Sequence, residues 1–409
     1  MSYDVERIRS HFPGLQGPEA AAHFDGPGGS QVPDVVGRAV AATLTSAISN
    51  RGTVTAAERR AADVVAACRR ALADLLAADP RGVVFGRSAT ALTYDLARAL
   101  AKTWGPGDEV VVTRLDHDSN IRPWLQVAEA TGATVRWVDF DPATGELMAE
   151  DVEAVLTDRT RLVATTAASN LLGTRPPTRQ ISDAAHAVGA LHWVDGVHST
   201  PHALVDVENL GADVWTCSPY KFLGPHCGVL AADPDLLEAL HPDKLLPSSD
   251  AVPERFELGT LPYELMAGVT AAVDFLAGLG DLDRPVTPED RRQRLVASMA
   301  ALGADEEGLL ARLEPALRAL PRVTVHSNAG RRTPTLLFTV DGVEPQDVYR
   351  HLAERGVNAP ASHFYAVECS RHLGLGDTGG VRVGLAPYTT EDDVDRLLAG
   401  LRELLGLQG

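Results

Sequence analysis

A regular alternation of apolar, strand-like runs with amphipathic helical segments fills the middle of this 409-residue chain. The apolar pattern predicts four strands, at 109–113, 134–138, 162–167 and 191–194. The helices between them are expected from Pro123, at 149–156 and at 181–188. Such alternation builds a mostly parallel sheet covered by helices on both faces. Ligands of these sheets bind at the carboxyl ends of the strands. The sequence therefore predicts an α/β fold whose site lies at that edge.

The segments on either side predict two domains. Before the alternation, a long helical pattern at 56–77 leads to a short strand at 83–85 and a further helix. After about Asp281 the chain becomes more charged, and its pattern indicates an α+β unit of ordinary domain size. We expect a large domain at 21–285, and a smaller domain formed by 1–20 and 286–409.

Charge and composition narrow the class of partners. The formal net charge is -18, which disfavours nucleic acid and anionic membranes because both are themselves negative. No run approaches the roughly 20 apolar residues of a membrane span, and the start lacks a basic region followed by an apolar one, so we expect a cytoplasmic protein. The four cysteines form no CxxC pair, which predicts free thiols and no zinc motif.

Lys221 stands between an apolar strand-like run at 212–216 and a Gly/Pro turn. An amine held among small and apolar residues at a strand end has a lowered pKa, and a neutral amine can attack an aldehyde to form a Schiff base. That is the anchor that a pyridoxal phosphate enzyme needs. The alternative from this stretch alone is a surface lysine in a hairpin.

Asp195 closes the apolar run 191–194, where its carboxylate would be buried unless a cation met it. A protonated pyridine nitrogen is such a cation, and the pair would keep the ring an electron sink. The alternative is an aspartate that caps the next turn. In the neighbouring loops, His117 could stack on the ring face and Asn170 could hydrogen-bond the ring hydroxyl, although a loop histidine can also be merely solvated.

Two further segments have the composition of ligand loops. Ser88, Ala89 and Thr90 open the helix after the strand at 83–85, where free N–H groups and hydroxyls suit an anion; an ordinary N-cap is the alternative. Gly28 belongs to a glycine-rich loop at 24–30, which either lines a ligand pocket or forms a tight turn. Metal binding by His186, His192, His198 and His202 is a weaker hypothesis, since their spacing puts them on different elements, and we expect no metal site.

Six motifs follow one another over nearly the whole chain, at 116–124, 169–174, 194–198, 218–221, 256–260 and 382–385. Together they resemble the class V aminotransferase family of pyridoxal phosphate enzymes, and most closely the cysteine desulfurases. The resemblance implies an aspartate-aminotransferase-like (fold type I) large domain, with a mostly parallel mixed sheet, plus the smaller α+β domain. It also implies pyridoxal 5'-phosphate as cofactor and an amino acid as substrate.

The resemblance assigns roles to individual residues around the cofactor ring. Lys221 matches the Schiff-base lysine, Asp195 the partner of the pyridine nitrogen, and His117 the stacking histidine. Asn170 matches the contact to the ring hydroxyl. His198 occupies the position of a glutamine that usually helps to hold that hydroxyl.

Other roles concern the phosphate and the substrate. The segment 88–90 and Ser218 match the phosphate cup, with Ala89 in place of a threonine, so that its backbone N–H would have to serve. Thr260 matches a threonine that reaches the phosphate from the other subunit, which implies a homodimer. Arg382 matches the arginine that pairs with the substrate carboxylate, and Gly28 is expected beside the substrate.

The chain departs from the desulfurase pattern at three positions. Tyr220, which we expect among the cofactor contacts, replaces a histidine that helps in proton transfer. Tyr365 falls where the nucleophilic cysteine would be, and Pro360 where an arginine usually stands. Cys369 is four residues beyond Tyr365 and could substitute only in a remodelled loop, because a neighbouring cysteine is more often inert. We expect Tyr365 to form part of the substrate-pocket wall.

The expectation for function is a pyridoxal phosphate enzyme acting on an amino acid, and within that a desulfurase-like lyase that cleaves a carbon–sulfur or other Cβ–heteroatom bond. Class V transamination or amino acid epimerisation is the alternative. A scaffold that keeps the fold without catalysis is an alternative of another class.

Overall fold

A computed structural model describes residues 3–17 and 20–407. The helices in these residues are α1 (Val5–Arg9), α2 (Asp34–Leu44), α3 (Ala56–Leu76), α4 (Ala89–Leu100), α5 (Arg122–Thr131), α6 (Ala149–Glu153), α7 (Thr178–Ala187), α8 (Val207–Leu210), α9 (Pro234–Ala239), α10 (Tyr263–Gly278), α11 (Arg291–Arg318), α12 (Pro345–Ala353), α13 (Val367–His372) and α14 (Glu391–Leu404). The strands are β1 (Ala22–His23), β2 (Val83–Gly86), β3 (Glu109–Thr113), β4 (Thr134–Val138), β5 (Thr160–Thr166), β6 (Leu191–Asp195), β7 (Val214–Cys217), β8 (Gly228–Ala232), β9 (Val323–Val325), β10 (Thr335–Val340), β11 (Val357–Asn358), β12 (Ala361–Ser362) and β13 (Gly380–Gly384).

The large sheet has the strand order β2-β8-β7-β6-β5-β3-β4. Neighbours from β7 to β4 are parallel, whereas β8 runs antiparallel to both β2 and β7. β3 and β7 are buried at every residue and β6 at every residue but Leu191, as expected for strands with helices on both faces. The predicted α/β fold with a mostly parallel mixed sheet is confirmed.

A second sheet, in the order β12-β13-β10-β9, is antiparallel and belongs to the carboxyl-terminal part of the chain. Its core includes Leu336, Phe338 and Val383, which pack with residues of α11, α12 and α14. The domain boundaries stay a prediction. Near the amino terminus, residues on each side of the predicted boundary at 20/21 pack in the core of the other domain. Phe12 lies in the core beside α3 and α10, whereas Phe24 lies in the core of the second sheet.

Strand positions follow the sequence closely, and helix ends differ where a cap or a proline decides them. The helix expected at 181–188 begins at Thr178, directly after Pro177 at its N-cap. The helix expected at 149–156 ends at Glu153. Within the described residues, no helix is both long enough and apolar enough to cross a membrane.

Candidate active site

A cavity of about 910 Å³ lies where the carboxyl ends of the parallel strands meet the second sheet. Lys221, Asp195, His117, Asn170 and His198 all line it, as do other residues predicted for the site: Gly28, Ser88, Ala89, Thr90, Ser218, Tyr220, Tyr365 and Arg382. The structure thus brings the predicted site residues together, with the exception of Thr260. Their individual roles stay predictions.

Lys221 closes a short 3-10 turn directly after β7, and its amine donates a hydrogen bond to the carbonyl of Pro27. Burial, and after it the nearby guanidinium of Arg382, lowers the pKa of Lys221 to about 7. Asp25 and Asp195 act in the opposite direction. An amine with this pKa is uncharged in a large fraction of molecules near neutral pH, as a nucleophile or general base must be.

Asp195 ends β6, with its Oδ1 accepting a hydrogen bond of 2.9 Å from the N–H of Val197. The pKa of Asp195 is raised to about 6, because the effect of burial exceeds the opposing effects of that hydrogen bond and of Lys221. Asp116, deeper still, accepts a 2.7 Å hydrogen bond from Asn120 Nδ2 and one from Thr113, and burial raises its pKa to about 8. Of these two carboxylates only Asp195 lines the cavity, and a cationic ring nitrogen there would stabilise its charged form.

An anion cup forms where β8 passes the start of α4. Ser88 caps α4 by accepting a 3.1 Å hydrogen bond from Ala91 N, which leaves the N–H groups of Ala89 and Thr90 in the first turn without intrahelical partners. A Cβ on Gly228 would lie 2.2 Å from the carbonyl carbon of Ser88, so only glycine permits this approach. Such a helix start binds phosphate.

His117 and Asn170 follow β3 and β5. The Nδ1 atom of His117 accepts from the N–H of Ser119 at 3.1 Å, and burial lowers the pKa of His117 to about 3, so the ring is uncharged. Asn170 Nδ2 donates to the carbonyl of Phe364 at 2.9 Å, while its Oδ1 is buried with no partner. An uncharged ring suits stacking, and the unpartnered Oδ1 is an acceptor left for a ligand.

Behind Asn170, the Nε2 atom of His198 lies 3.0 Å from the hydroxyls of both Thr333 and Thr335. Its Nδ1 atom is buried without a partner. Burial lowers the pKa of His198 well below its usual value, followed by the effect of the neighbouring His202. His198 therefore offers a second unsatisfied polar atom at the wall of the cavity.

Arg382 lies on β13, with only 1% of the side chain exposed. Its guanidinium donates to Asp25 Oδ1 at 2.7 Å and to the carbonyl of Asn170 at 3.0 Å, and the Phe364 ring covers it at 3.7 Å. Gly28 lies against the same carboxylate, since a Cβ there would be 2.3 Å from the Asp25 oxygens. Sequence reasoning missed Asp25, because its partner is 357 positions away.

The segment at 363–365 lines the cavity, and its role as a wall beside the substrate stays a prediction. Tyr365 is 71% exposed, and its ring lies 5.6 Å from that of His117. Phe364 and Tyr365 both have positive φ angles, 51° and 59°, a conformation unusual for aromatic residues. Cys369 lies on α13 and is fully buried, and burial raises the pKa of its thiol. All four cysteines are buried.

Thr260 does not line this cavity, and its side chain is exposed to solvent.

The four histidines considered for a metal do not share one site. His192 contacts Thr165 and Ser182, His186 pairs with Asp213, and His198 and His202 lie side by side. No cluster of three or more potential metal ligands occurs in the part of the chain that the structure describes.

The residues present fit pyridoxal phosphate. The helix start suits its phosphate, Asp195 its ring nitrogen and Lys221 its aldehyde. The unpartnered Asn170 Oδ1 and His198 Nδ1 leave polar atoms for the ring hydroxyl. Fold and cavity together define a pyridoxal phosphate-dependent enzyme of the aspartate-aminotransferase-like fold.

The chain belongs to the class V aminotransferase family, whose model matches residues 22–289 and 293–397. It is 37% identical over 410 residues to an uncharacterized protein of Mycobacterium tuberculosis, covering 99% of this chain and all of the other. A cysteine desulfurase of Pectobacterium carotovorum is 30% identical over the full length of both chains. The crystal structure of a cysteine desulfurase from Escherichia coli superposes with a TM-score of 0.84 at 26% identity, covering 99% of each chain. The expected family, fold type and cofactor are confirmed.

Proposed function

We propose that this enzyme is a lyase that cleaves a carbon–sulfur or other Cβ–heteroatom bond of an amino acid. The observation that carries the proposal is that Lys221, whose pKa is about 7, and Asp195 line one cavity whose described lining contains no cysteine. Pyridoxal phosphate supplies an electron sink for negative charge at the α-carbon of an amino acid.

The chain's own residues would divide the remaining work. Lys221, uncharged, would remove the proton from the α-carbon and return it to the leaving group or the product. Asp195 would hold the positive charge of the ring nitrogen, and the start of α4 would hold the phosphate. Arg382 would orient the substrate carboxylate.

A persulfide mechanism needs a thiolate that reaches the substrate sulfur. Cys369 is buried and its pKa is raised, so it is neither accessible nor ionised near neutral pH. Tyr365 occupies the exposed position instead, and a phenol is no sulfur acceptor. A β-elimination needs no such group: the substrate and one water give a thiol, pyruvate and ammonium.

Transamination is the second candidate and epimerisation is related to it, because both use the same α-proton transfer by Lys221. The family takes its description from aminotransferases. Transamination and epimerisation give products that differ from those of a lyase. Transamination yields a keto acid together with pyridoxamine phosphate, whereas epimerisation changes only the configuration of the amino acid.

We propose further that the enzyme works as a homodimer in which Thr260 completes the phosphate site of the partner. Thr260 is exposed and outside its own chain's cavity. Large apolar side chains are exposed on neighbouring stretches of sequence, and Leu246 is 97% exposed. If Thr260 acts in the partner's site, Thr260→Ala should weaken cofactor binding without changing the fold of its own chain.

The test is a product assay on the purified enzyme with cysteine, cysteine S-conjugates and other amino acids. Pyruvate with released thiol or sulfide supports the lyase, pyridoxamine phosphate supports transamination, and a change of optical rotation alone supports epimerisation. A persulfide on Cys369 would restore the desulfurase hypothesis. A colourless protein that cannot be reconstituted with pyridoxal phosphate would favour a scaffold.

A further inference from the structure

A second cavity, of about 280 Å³, lies where α7 begins and shares no lining residue with the active-site cavity. Its charged lining residues are Arg175, Arg179 and Arg331, and its described lining contains no aspartate or glutamate. This is unexpected in a chain with 55 acidic and 37 basic residues. A purely cationic cavity in an acidic protein indicates an anionic ligand.

Backbone contacts hold Arg175 and Arg331 side by side. An isolated antiparallel bridge joins Thr174 to Arg332, and the N–H of Arg175 donates to the carbonyl of Arg331 at 2.8 Å. This bridge connects the loop after β5 with the segment before β10. Among the described residues, neither the Arg175 nor the Arg331 side chain forms a hydrogen bond or an ion pair, whereas the adjacent Arg332 pairs with Glu314.

Two guanidinium groups held together without a counter-ion repel each other. Arg175 is partly buried, and burial, followed by the charge of Arg331, lowers the pKa of Arg175. An oxyanion between the two groups would remove the repulsion and accept hydrogen bonds from both. The start of α7 also favours an anion, because its first turn has neither a side-chain cap nor an acidic residue.

The remaining lining sets the size and character of the ligand. Leu204, Val205 and Trp215 form an apolar wall in the same cavity. The volume is slightly below the roughly 300 Å³ at which small-molecule pockets begin, so the apolar part of the ligand must be small, about one ring in size. The cavity therefore suits a compact molecule with an anionic group at one end.

We propose that this cavity is a second ligand site, which binds a small organic anion with its carboxylate or phosphate between Arg175 and Arg331 and its apolar part against the wall. The proposal does not depend on which reaction the enzyme catalyses. Because the two cavities share no lining residue, the anion would bind in addition to the cofactor.

The experiment is isothermal titration calorimetry of the cofactor-loaded enzyme with benzoate and with phenyl phosphate. Acetate and inorganic phosphate are the matched probes without the ring. We expect benzoate or phenyl phosphate to bind at one molecule per chain and more tightly than its ringless counterpart. The stronger of the two identifies the anionic group as carboxylate or phosphate. Absence of binding up to about 10 mM by both ring-bearing probes, a Kd weaker than a few kcal/mol can support, would overturn the proposal.

Variants assign the binding to this cavity. Arg175→Gln and Arg331→Gln should each weaken binding by at least about 10-fold, because each removes charge-assisted hydrogen bonds to the anion. Arg402→Gln is the matched control, because it removes one positive charge from an exposed position on α14, and its affinity should equal that of the parent. Affinity unchanged in both cavity variants would place the anion elsewhere, at Arg382 for example, and overturn the proposal.

Thermal stability gives an independent measurement. The ligand should raise the thermal midpoint of the parent and of Arg402→Gln, and raise that of the two cavity variants less. Should either cavity variant fail to fold, Leu204→Glu replaces it, since Leu204 is 41% exposed and tolerates a charge. The added carboxylate should repel the anion and weaken binding, and unchanged affinity in Leu204→Glu would overturn the proposal.

Discussion

Replacing Lys221 by methionine should stabilise the cofactor-free protein near neutral pH, and the gain should shrink as pH rises. Burial lowers the pKa of Lys221 from 10.5 to about 7. Between these values the unfolded chain binds more protons at this residue than the folded chain, so folding becomes more favourable with rising pH. The full cost at pH 7 is on the order of 5 kcal/mol, at roughly 1.4 kcal/mol for each pH unit.

Methionine fills a similar volume without charge, but it loses the hydrogen bond to the Pro27 carbonyl, which is worth about 1 kcal/mol. We therefore expect Lys221→Met to raise the free energy of unfolding by about 3 to 4 kcal/mol at pH 7 and by about 1 kcal/mol at pH 9. Urea unfolding of both proteins at several pH values measures this. Lys102→Met, at an exposed lysine paired with Asp243, should change the free energy by under about 0.5 kcal/mol. No gain at pH 7, or a gain at pH 9 as large as that at pH 7, would refute the reasoning.

The remaining predictions concern the proposed roles. Borohydride reduction of the loaded enzyme, followed by peptide mapping, should label Lys221, and a label on another lysine would contradict the assignment. Asp195→Ala should retain some cofactor but lower kcat by more than about 100-fold, because the ring nitrogen loses its counter-ion; near-normal kcat would exclude that role. Cys369→Ser should keep kcat within about twofold, with no persulfide detected by mass spectrometry. Tyr365→Ala should change the ratio of kcat/KM between bulky and small substrates, whereas a purely structural loop would change only the thermal midpoint.

Most of the sheet could be predicted from the sequence. β3 and β4 have the predicted bounds, because each is a short run rich in β-branched residues between turn residues. Helix ends were harder to predict. Apolar periodicity begins at Ile181, but α7 starts three residues earlier, where Pro177 is the N-cap. Periodicity reports which face is buried and does not show where hydrogen bonding starts.

Much of the candidate site could also be predicted from the sequence, for a related reason. In a parallel sheet the ends of successive strands meet at one edge, so Asp195 and Ser218 could be placed together from strand order alone. The pairs Asp25–Arg382 and His202–Glu306 could not be predicted, since their partners lie on elements whose approach depends on how the second sheet packs. Nothing local marks Glu306, which is one acidic residue among several on a long helix.

The contacts of Arg382 with Asp25 and Phe364 limit how much a bound carboxylate could contribute to substrate selectivity. A substrate carboxylate that binds Arg382 must displace Asp25 from the guanidinium, or share it, beneath the ring of Phe364. Displacement exchanges one charge-assisted hydrogen bond for another, so the net gain is smaller than the ~1.5–3 kcal/mol of a new bond of this kind. Carboxylate affinity alone then discriminates little between amino acids. If Arg382 holds the carboxylate, the aromatic side chains of Phe364 and Tyr365, which line the cavity, would be the source of selectivity.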